Sequence, residues 1–181
     1  MHNLIGISGK KRSGKDTVSK LLIDILDDNY EIKHFASKLK RIASILTGRS
    51  YEFFLDDSNK TLYLDDWGMN VREFLQKLGT DSLRDNFVSD IWIKSLFSEY
   101  IGHKNWIISD VRFKDELDVI RNRGGIIIRV DAAYEGYEIP TDQHQSEIDL
   151  DDSYDKFDYI INNDSDMECL INKVNLMVKS W

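Results

Sequence analysis

The chain has one cysteine, one proline and no apolar stretch long enough to span a bilayer, and each shortage removes a class of explanation. A lone thiol, Cys169, builds neither an internal disulfide framework nor a multi-cysteine metal site, which fits a reducing, cytoplasmic setting. Its helical surroundings make Cys169 a core filler rather than a nucleophile. No signal peptide precedes the first strand-like run, and no membrane partner is expected. With one Pro and ten Gly in 181 residues, and 41% of them hydrophobic, long disorder is not expected. The length suits a single domain, or one domain with a small lid. Basic residues are also short: 24 Lys and Arg against 32 Asp and Glu leave a net charge of −8. Broad binding to nucleic acid needs many cations facing phosphates, so no nucleic-acid partner is expected. The shortage is complete over residues 132–152, which contain no Lys or Arg. That stretch, with Pro140, Asp142, His144, Ser146 and Glu147, reads as a mobile flap or loop.

Against this acidic background Lys10, Lys11, Arg12 and Lys15 cluster in a few positions, a local site for a small phosphorylated ligand. They sit in Ser-Gly-Lys-Lys-Arg-Ser-Gly-Lys-Asp-Thr, residues 8 to 17, after the apolar Leu4, Ile5 and Ile7 and before a helical pattern. This is the spacing of a phosphate-binding loop. Gly9 and Gly14 let the backbone approach a phosphate closely, and successive N–H groups with the first helical turn point positive charge at it. Lys15 adds a full charge where β- and γ-phosphates would lie. Gly9, Lys11, Arg12, Ser13, Gly14, Lys15, Asp16 and Thr17 are therefore the nucleotide-binding candidates. The usual Ser or Thr after the lysine is replaced by Asp16, with Thr17 following, so the magnesium ligand is open between Asp16, Thr17 and Asp110. The bland alternative is a Gly-rich turn between a strand and a helix.

Further along, Val18, Leu21, Leu22 and Ile25 mark a helix that Asp27 and Asp28 close, and Ile32 to Ala36 reads as a second strand. Ser37 is placed to cap a helix with an apolar face of Leu39, Ile42, Ala43 and Leu46, ending at Gly48. Lys38 lies in its first turn, near the strand end where ligands of open α/β sheets bind. Residues 49–69 are the least periodic part and read as a surface excursion, whose aromatics stack a base or pack as a satellite core. Val71, Phe74, Leu75 and Leu78 predict a helix terminated by Gly79, with Arg72 and Gln76 on one face. A longer helix is expected from about Ser82 to Tyr100. Trp106 to Ser109 reads as a buried parallel strand with Asp110 at its tip, Arg112 beside it, and Asp110 alternatively capping the next helix. Glu116 is placed to pair with a basic neighbour. After Gly124-Gly125 come a strand at Ile126 to Val130, the flap, a strand at Tyr159 to Ile161, and a packing helix with Met167, Leu170, Ile171, Val174, Met177 and Val178 on one face. This order predicts an α/β, three-layer architecture, a mainly parallel sheet flanked by helices.

The blocks SGKKRSGKDT (Ser8 to Thr17), REFLQKLGTD (Arg72 to Asp81), Trp92 with its helix, DVRFKDE (Asp110 to Glu116), DQHQSE (Asp142 to Glu147) and IINND (Ile160 to Asp164) together resemble the bacteriophage-type deoxynucleoside monophosphate kinases. Members of that branch of the P-loop nucleoside monophosphate kinase fold likewise carry Asp after the loop lysine. This sequence departs from them at Asp131-Ala132, where relatives tend to have Arg-Pro. The resemblance implies a single P-loop kinase domain over 1–181, with a substrate-site excursion near 49–100 and a flap near 132–152. It also implies transfer of the ATP γ-phosphoryl group, with Mg²⁺, to a deoxynucleoside 5′-monophosphate. On it, Lys15, Arg112, Arg12 and Asp110 look catalytic, while Lys38, Arg72, Gln76, Asp81, Trp92, Arg112, His144 and Glu147 look like the substrate side. Arg84 is a further candidate cation, because the basic-free flap cannot supply arginines. The rival readings are a P-loop kinase of a small non-nucleotide metabolite and a nucleotide-binding ATPase or regulator. Nucleotides are the expected partners, the compartment is cytoplasmic (a host's, if phage-encoded), and a homodimer is left open.

Overall fold

The computed structural model of the protein describes residues 2–26, 29–101, 104–138, 141 and 144–181; the expectations placed on Asp27, Asp28, Pro140 and Asp142 lie outside them. The chain forms two compact units, one joining Met1–His34 to Tyr100–Trp181 and the other made of Phe35–Glu99.

The first unit is built on a sheet of five parallel strands in the order β2-β5-β1-β6-β7. β1 is Leu4–Ser8, β2 Tyr30–Lys33, β5 Asn105–Val111, β6 Ile126–Ala132 and β7 Tyr159–Asn163. The apolar runs of β1, β5 and β6 are continuous because both faces of these strands are covered. On one face Ile5, Ile7, Ile107, Ile128 and Val130 pack with Val18 and Leu22 of α1 (Lys15–Leu26) and with Leu170 and Val174 of α8 (Met167–Lys179). On the other, Leu117 and Ile120 of α6 (Lys114–Asn122) are fully buried, and a Cβ on Gly6 would meet Ile120 Cδ1 at 2.9 Å and Ile127 Cδ1 at 2.7 Å. The expected three-layer α/β fold is thus present, and its central strand β1 leads straight into the glycine loop.

Several boundaries fall elsewhere than the pattern predicts. β2 spans Tyr30–Lys33 rather than Ile32 to Ala36, and α2 (Ala36–Thr47) starts at Ala36, so Ser37 is inside the helix instead of capping it. Gly48 does close α2, at φ 69°. Of the apolar face proposed for α2 only Ala43 is buried, and Leu46 is exposed. β5 runs one residue past Asp110, to Val111, across a register shift opposite Ser8, so Asp110 stands next to the C-terminal end of the strand. Met167 is exposed at the start of α8, while Leu170, Val174 and Met177 are buried.

In the second unit, α3 (Tyr51–Leu55) and a hairpin of β3 (Tyr63–Leu64) with β4 (Met69–Asn70) occupy the aperiodic stretch. Phe54 and Leu64 join Ala43, Val71 and Phe74 in a satellite core. Asn70 and Glu73 cap α4 (Val71–Gln76) reciprocally, the Glu73 carboxylate accepting from Asn70 N at 3.0 Å and the Asn70 amide oxygen from Glu73 N at 3.0 Å. Gly79 does not terminate this helix: the chain continues as a π-helical segment, Lys77–Arg84, and the long helix expected from Ser82 reduces to α5, Ile91–Phe97. Gly79 is instead a point of close packing within that segment. Its Cβ would lie 2.6 Å from Leu39 Cδ2, and its carbonyl accepts the buried Trp92 Nε1–H at 2.9 Å. Replacing Trp92 by Phe leaves that carbonyl without its donor. The expected cost is about 1–3 kcal/mol, read as a lower denaturation midpoint in urea; an unchanged midpoint would contradict it.

Candidate active site

The loop after β1 is held by its oxygen atoms. Every carbonyl from Gly9 to Gly14 accepts a hydrogen bond. Lys15 Nζ donates to Gly9 O at 2.8 Å and Lys10 O at 2.7 Å, and Ser13 N donates to Lys10 O at 3.1 Å. Tyr137 OH donates to Lys11 O at 3.3 Å and Tyr134 OH to Arg12 O at 2.9 Å. Asn163 Nδ2 donates to Ser13 O at 3.1 Å, and Val18 N to Gly14 O at 2.9 Å opens α1. Glycine is required at both ends. A Cβ on Gly9 (φ 154°) would sit 2.4 Å from Val130 O, and one on Gly14 (φ 101°) would sit 2.7 Å from Asn163 Nδ2. Ser13 is fully buried and its Oγ has no hydrogen-bond partner among the described residues.

Beside the loop lies a cleft lined by Ser8, Gly9, Lys10, Val111, Arg112, Arg129, Ser146, Glu147 and Leu150. Its cations are Lys10 on the loop, Arg112 just past β5 and Arg129 within β6. Arg129 stands on β6 opposite Ser8 in register and is 3% exposed. Its Nε donates to Asp131 Oδ1 at 2.8 Å, its Nη1 reaches Ser8 Oγ at 3.4 Å, and the guanidinium lies over the Tyr154 and Phe157 rings at 5.4 and 5.5 Å. Arg112, just past β5, pairs with the nearly buried Glu147 carboxylate. Glu147 belongs to α7, Gln145–Ile148, whose described surroundings are tied down rather than loose. Lys10 Nζ donates to Glu147 O and to Asp151 Oδ2, both at 2.6 Å, and Lys114 N donates to Asp149 Oδ2 at 2.8 Å. The described end of the segment read as a flap is therefore pinned to the loop and to the start of α6.

Burial, and next the Arg112 guanidinium, push the Lys15 ammonium down to about 8. Burial opposes charge on Arg112 as well, but the adjoining Glu147 carboxylate holds that guanidinium above its ordinary value. Glu116 is pushed up to about 8, chiefly by burial and further by Asp110, against the backbone N–H groups of Arg112 (2.8 Å) and Phe113 (3.1 Å) that donate to its Oε2. Those two bonds make Glu116 a carboxylate cap at the start of α6. A cleft with this many fixed cations and loop dipoles suits an anion of several charges.

Of the sequence candidates, Gly9, Arg112 and Glu147 line the cleft, Lys15 is electrostatically next to Arg112 and Glu147, and Asp110 is next to Arg112 and Glu116. His144 caps α7 through Nδ1, which accepts from Ser146 N at 3.3 Å. Lys38, Arg72, Gln76, Asp81 and Trp92 all fall in the second unit. There Lys38 Nζ contacts Ser95 O at 2.6 Å and the Glu99 carboxylate at 2.9 Å, and Trp92 is in the core. Arg129 was missed because it interrupts an apolar strand, where a lone arginine carries no periodic signal.

Comparison with known proteins decides the family. The profile described as Deoxynucleotide monophosphate kinase matches residues 48–174, a span that leaves out the glycine loop. The chain belongs to the deoxynucleotide monophosphate kinase family. This kinase is 33% identical to a mimivirus protein (Acanthamoeba polyphaga mimivirus) with a provisional deoxynucleotide monophosphate kinase name, covering 91% of the present chain and 90% of that one. It is 30% identical to the Deoxynucleotide monophosphate kinase of Enterobacteria phage T4 and to the Deoxynucleoside-5'-monophosphate kinase of Escherichia phage T5, over 64% and 61% of its length. The kinase spans about half of those two phage proteins, 47% and 46% respectively. Among solved structures, Dephospho-CoA kinase from Campylobacter jejuni superposes with a TM-score of 0.51 over 99% of this chain and 97% of that one; at 15% identity this establishes a shared P-loop kinase fold. No helix among the described residues is long and apolar enough to cross a membrane.

The raised Glu116 has a stability consequence. The folded state favours its protonated form, so this stabilisation is full below the ordinary value of 4.5 and is lost as pH rises through about 8. Glu116→Gln keeps an acceptor for both amides without the titration. Urea unfolding at a series of pH values should show wild-type stability falling across that window relative to the variant. Parallel curves would count against a raised Glu116.

Proposed function

We propose that this kinase transfers the γ-phosphoryl group of ATP to a deoxynucleoside 5′-monophosphate, giving the deoxynucleoside diphosphate and ADP. Beyond family membership, the observation that supports this most is the closeness of Lys15 to Arg112 and Arg129, the two arginines of the cleft, beside a loop whose carbonyls are all engaged. Gly9, Lys11, Arg12, Ser13, Gly14, Asp16 and Thr17 complete the donor seat, with Lys15 at the β- and γ-phosphates. The partnerless, buried Ser13 hydroxyl fits such an anion.

The acceptor monophosphate has a second pKa of about 6 and is mostly dianionic at neutral pH, so no strong general base is needed. Alignment and charge neutralisation carry the step. Arg112 and Arg12 are assigned to the moving phosphoryl group, and Arg129 joins them as a cation set in place by folding. In this reading Arg72 holds the acceptor phosphate, and Lys38, Gln76, Asp81, Trp92, His144 and Glu147 are the remaining residues assigned to the substrate. Thr17, Asp16 and Asp110 offer the hard oxygen donors that suit Mg²⁺. An ion that keeps several waters and binds phosphate oxygens needs few protein ligands, and no cluster of three metal-binding side chains occurs among the described residues. When bound, the ion supplies positive charge to the β/γ oxygens.

Incubation with ATP, Mg²⁺ and a panel of deoxy- and ribonucleoside monophosphates should yield diphosphate from at least one deoxynucleotide. ADP with free phosphate alone would sink the proposal, and turnover of a non-nucleotide acceptor only would favour a metabolite kinase. Lys15→Ala should lower turnover by about two to three powers of ten with the fold intact. A triphosphate beside Lys15 should also restore its charge. Calorimetry of ATP binding at a pH near 8, in buffers of different ionisation enthalpy, is expected to show proton uptake that Lys15→Met abolishes.

A further inference from the structure

Arg12 is the only non-glycine residue with positive φ among the described residues, at 61°. That region brings Cβ against the following carbonyl and is unfavourable for an arginine, so the surroundings must hold it. Two hydroxyls reach the peptide groups on either side of its Cα. Tyr137 OH donates to Lys11 O, the carbonyl of the preceding peptide, at 3.3 Å, and Tyr134 OH donates to Arg12 O, that of the following peptide, at 2.9 Å. Fixing both peptide planes fixes φ and ψ together.

The two tyrosines are presented by one local turn. Tyr137 N donates to Tyr134 O at 3.0 Å, Gly136 takes φ 81°, and the rings pair at 5.3 Å between centroids with a 59° tilt. Ala133 N donates to Asn163 O at 2.9 Å, and Asn163 Nδ2 holds the neighbouring Ser13 O, so the turn and the loop share an anchor on β7.

We propose that Tyr134 and Tyr137 are positioning residues for phosphoryl transfer: they hold Arg12 left-handed, and with it the loop in the shape that receives the triphosphate. This rests on the reading of Gly9 to Thr17 as the ATP phosphate seat. A glycine at position 12 adopts the same φ without help. The clamp therefore matters most while position 12 carries a side chain.

That dependence gives the test. ATP and tripolyphosphate affinities are measured by calorimetry for Tyr134→Phe, Tyr137→Phe and the pair, each with Arg12 and with Arg12→Gly. With Arg12, the double Phe variant should bind about five- to thirtyfold more weakly, the size of a non-glycine residue's aversion to this region. In the Arg12→Gly background the same change should cost less than about twofold. Arg12→Gly has its own effect from the lost guanidinium, which cancels in the comparison. Equal losses in both backgrounds would make the tyrosines merely structural and overturn the proposal, as would no loss in either. Wild-type protein that binds both anions yet forms no diphosphate would sink the kinase reaction and leave the clamp standing. Wild-type protein that binds neither would remove the phosphate seat and the clamp with it.

Discussion

The arrangement depends on one constraint: between Gly9 and Gly14 the carbonyl oxygens are all bonded to protein donors. A chain turning this tightly exposes either its oxygens or its nitrogens to a given side, and engaging the oxygens leaves the positive ends of the peptide dipoles for a ligand. The donors come from the loop, α1, β7 and the turn after β6. The sheet order makes this feasible, since β1 lies beside β6 and β6 beside β7. Gly9 then fits under Val130 O and Gly14 beside Asn163 because neither carries a Cβ.

Charge follows the same plan. An overall −8 hides a local excess of cations, kept in place by carboxylates that are close at hand: Asp131 for Arg129, Glu147 for Arg112, Asp151 for Lys10. Each pairing reduces the cost of holding a cation in a partly dry cleft. Among the described residues Lys15 has only backbone carbonyls for hydrogen-bond acceptors, and it is pushed down to about 8, whereas Arg112, with Glu147, is held up. Glu147 lines the cleft and pairs with Arg112, so in the proposed mechanism the retention or displacement of its carboxylate sets how much of the Arg112 charge an incoming anion meets.

What the sequence made legible was whatever depends on spacing along the chain. The loop motif, the buried runs at Trp106 to Ser109 and Ile126 to Val130, and the α/β alternation all follow from local pattern. What escaped depends on partners far away. Gly79 looks like a helix end, yet it is a packing point for Leu39 and Trp92 around which the helix widens. The amides of Arg112 and Phe113 are taken by Glu116, a residue that the sequence offered only as a partner for a basic neighbour. Tyr134 and Tyr137 fall in a stretch notable for lacking basic residues, and no periodicity reveals a hydroxyl that bonds a carbonyl more than a hundred positions earlier.

The missing lid arginines and the buried Arg129 belong together in the proposed mechanism. A cation on a mobile lid gives up rotamer and loop freedom each time it closes on a substrate, and that loss comes out of the binding energy. An arginine on β6, stacked on two aromatic rings and fixed through Nε by Asp131, loses its freedom once, on folding. Its charge then needs little reorganisation when phosphoryl charge develops, which is the condition under which an electrostatic contribution to catalysis is largest. A flap without Lys or Arg can accordingly serve another end, supplying acceptors that pair the fixed cations and hydroxyls that shape the loop.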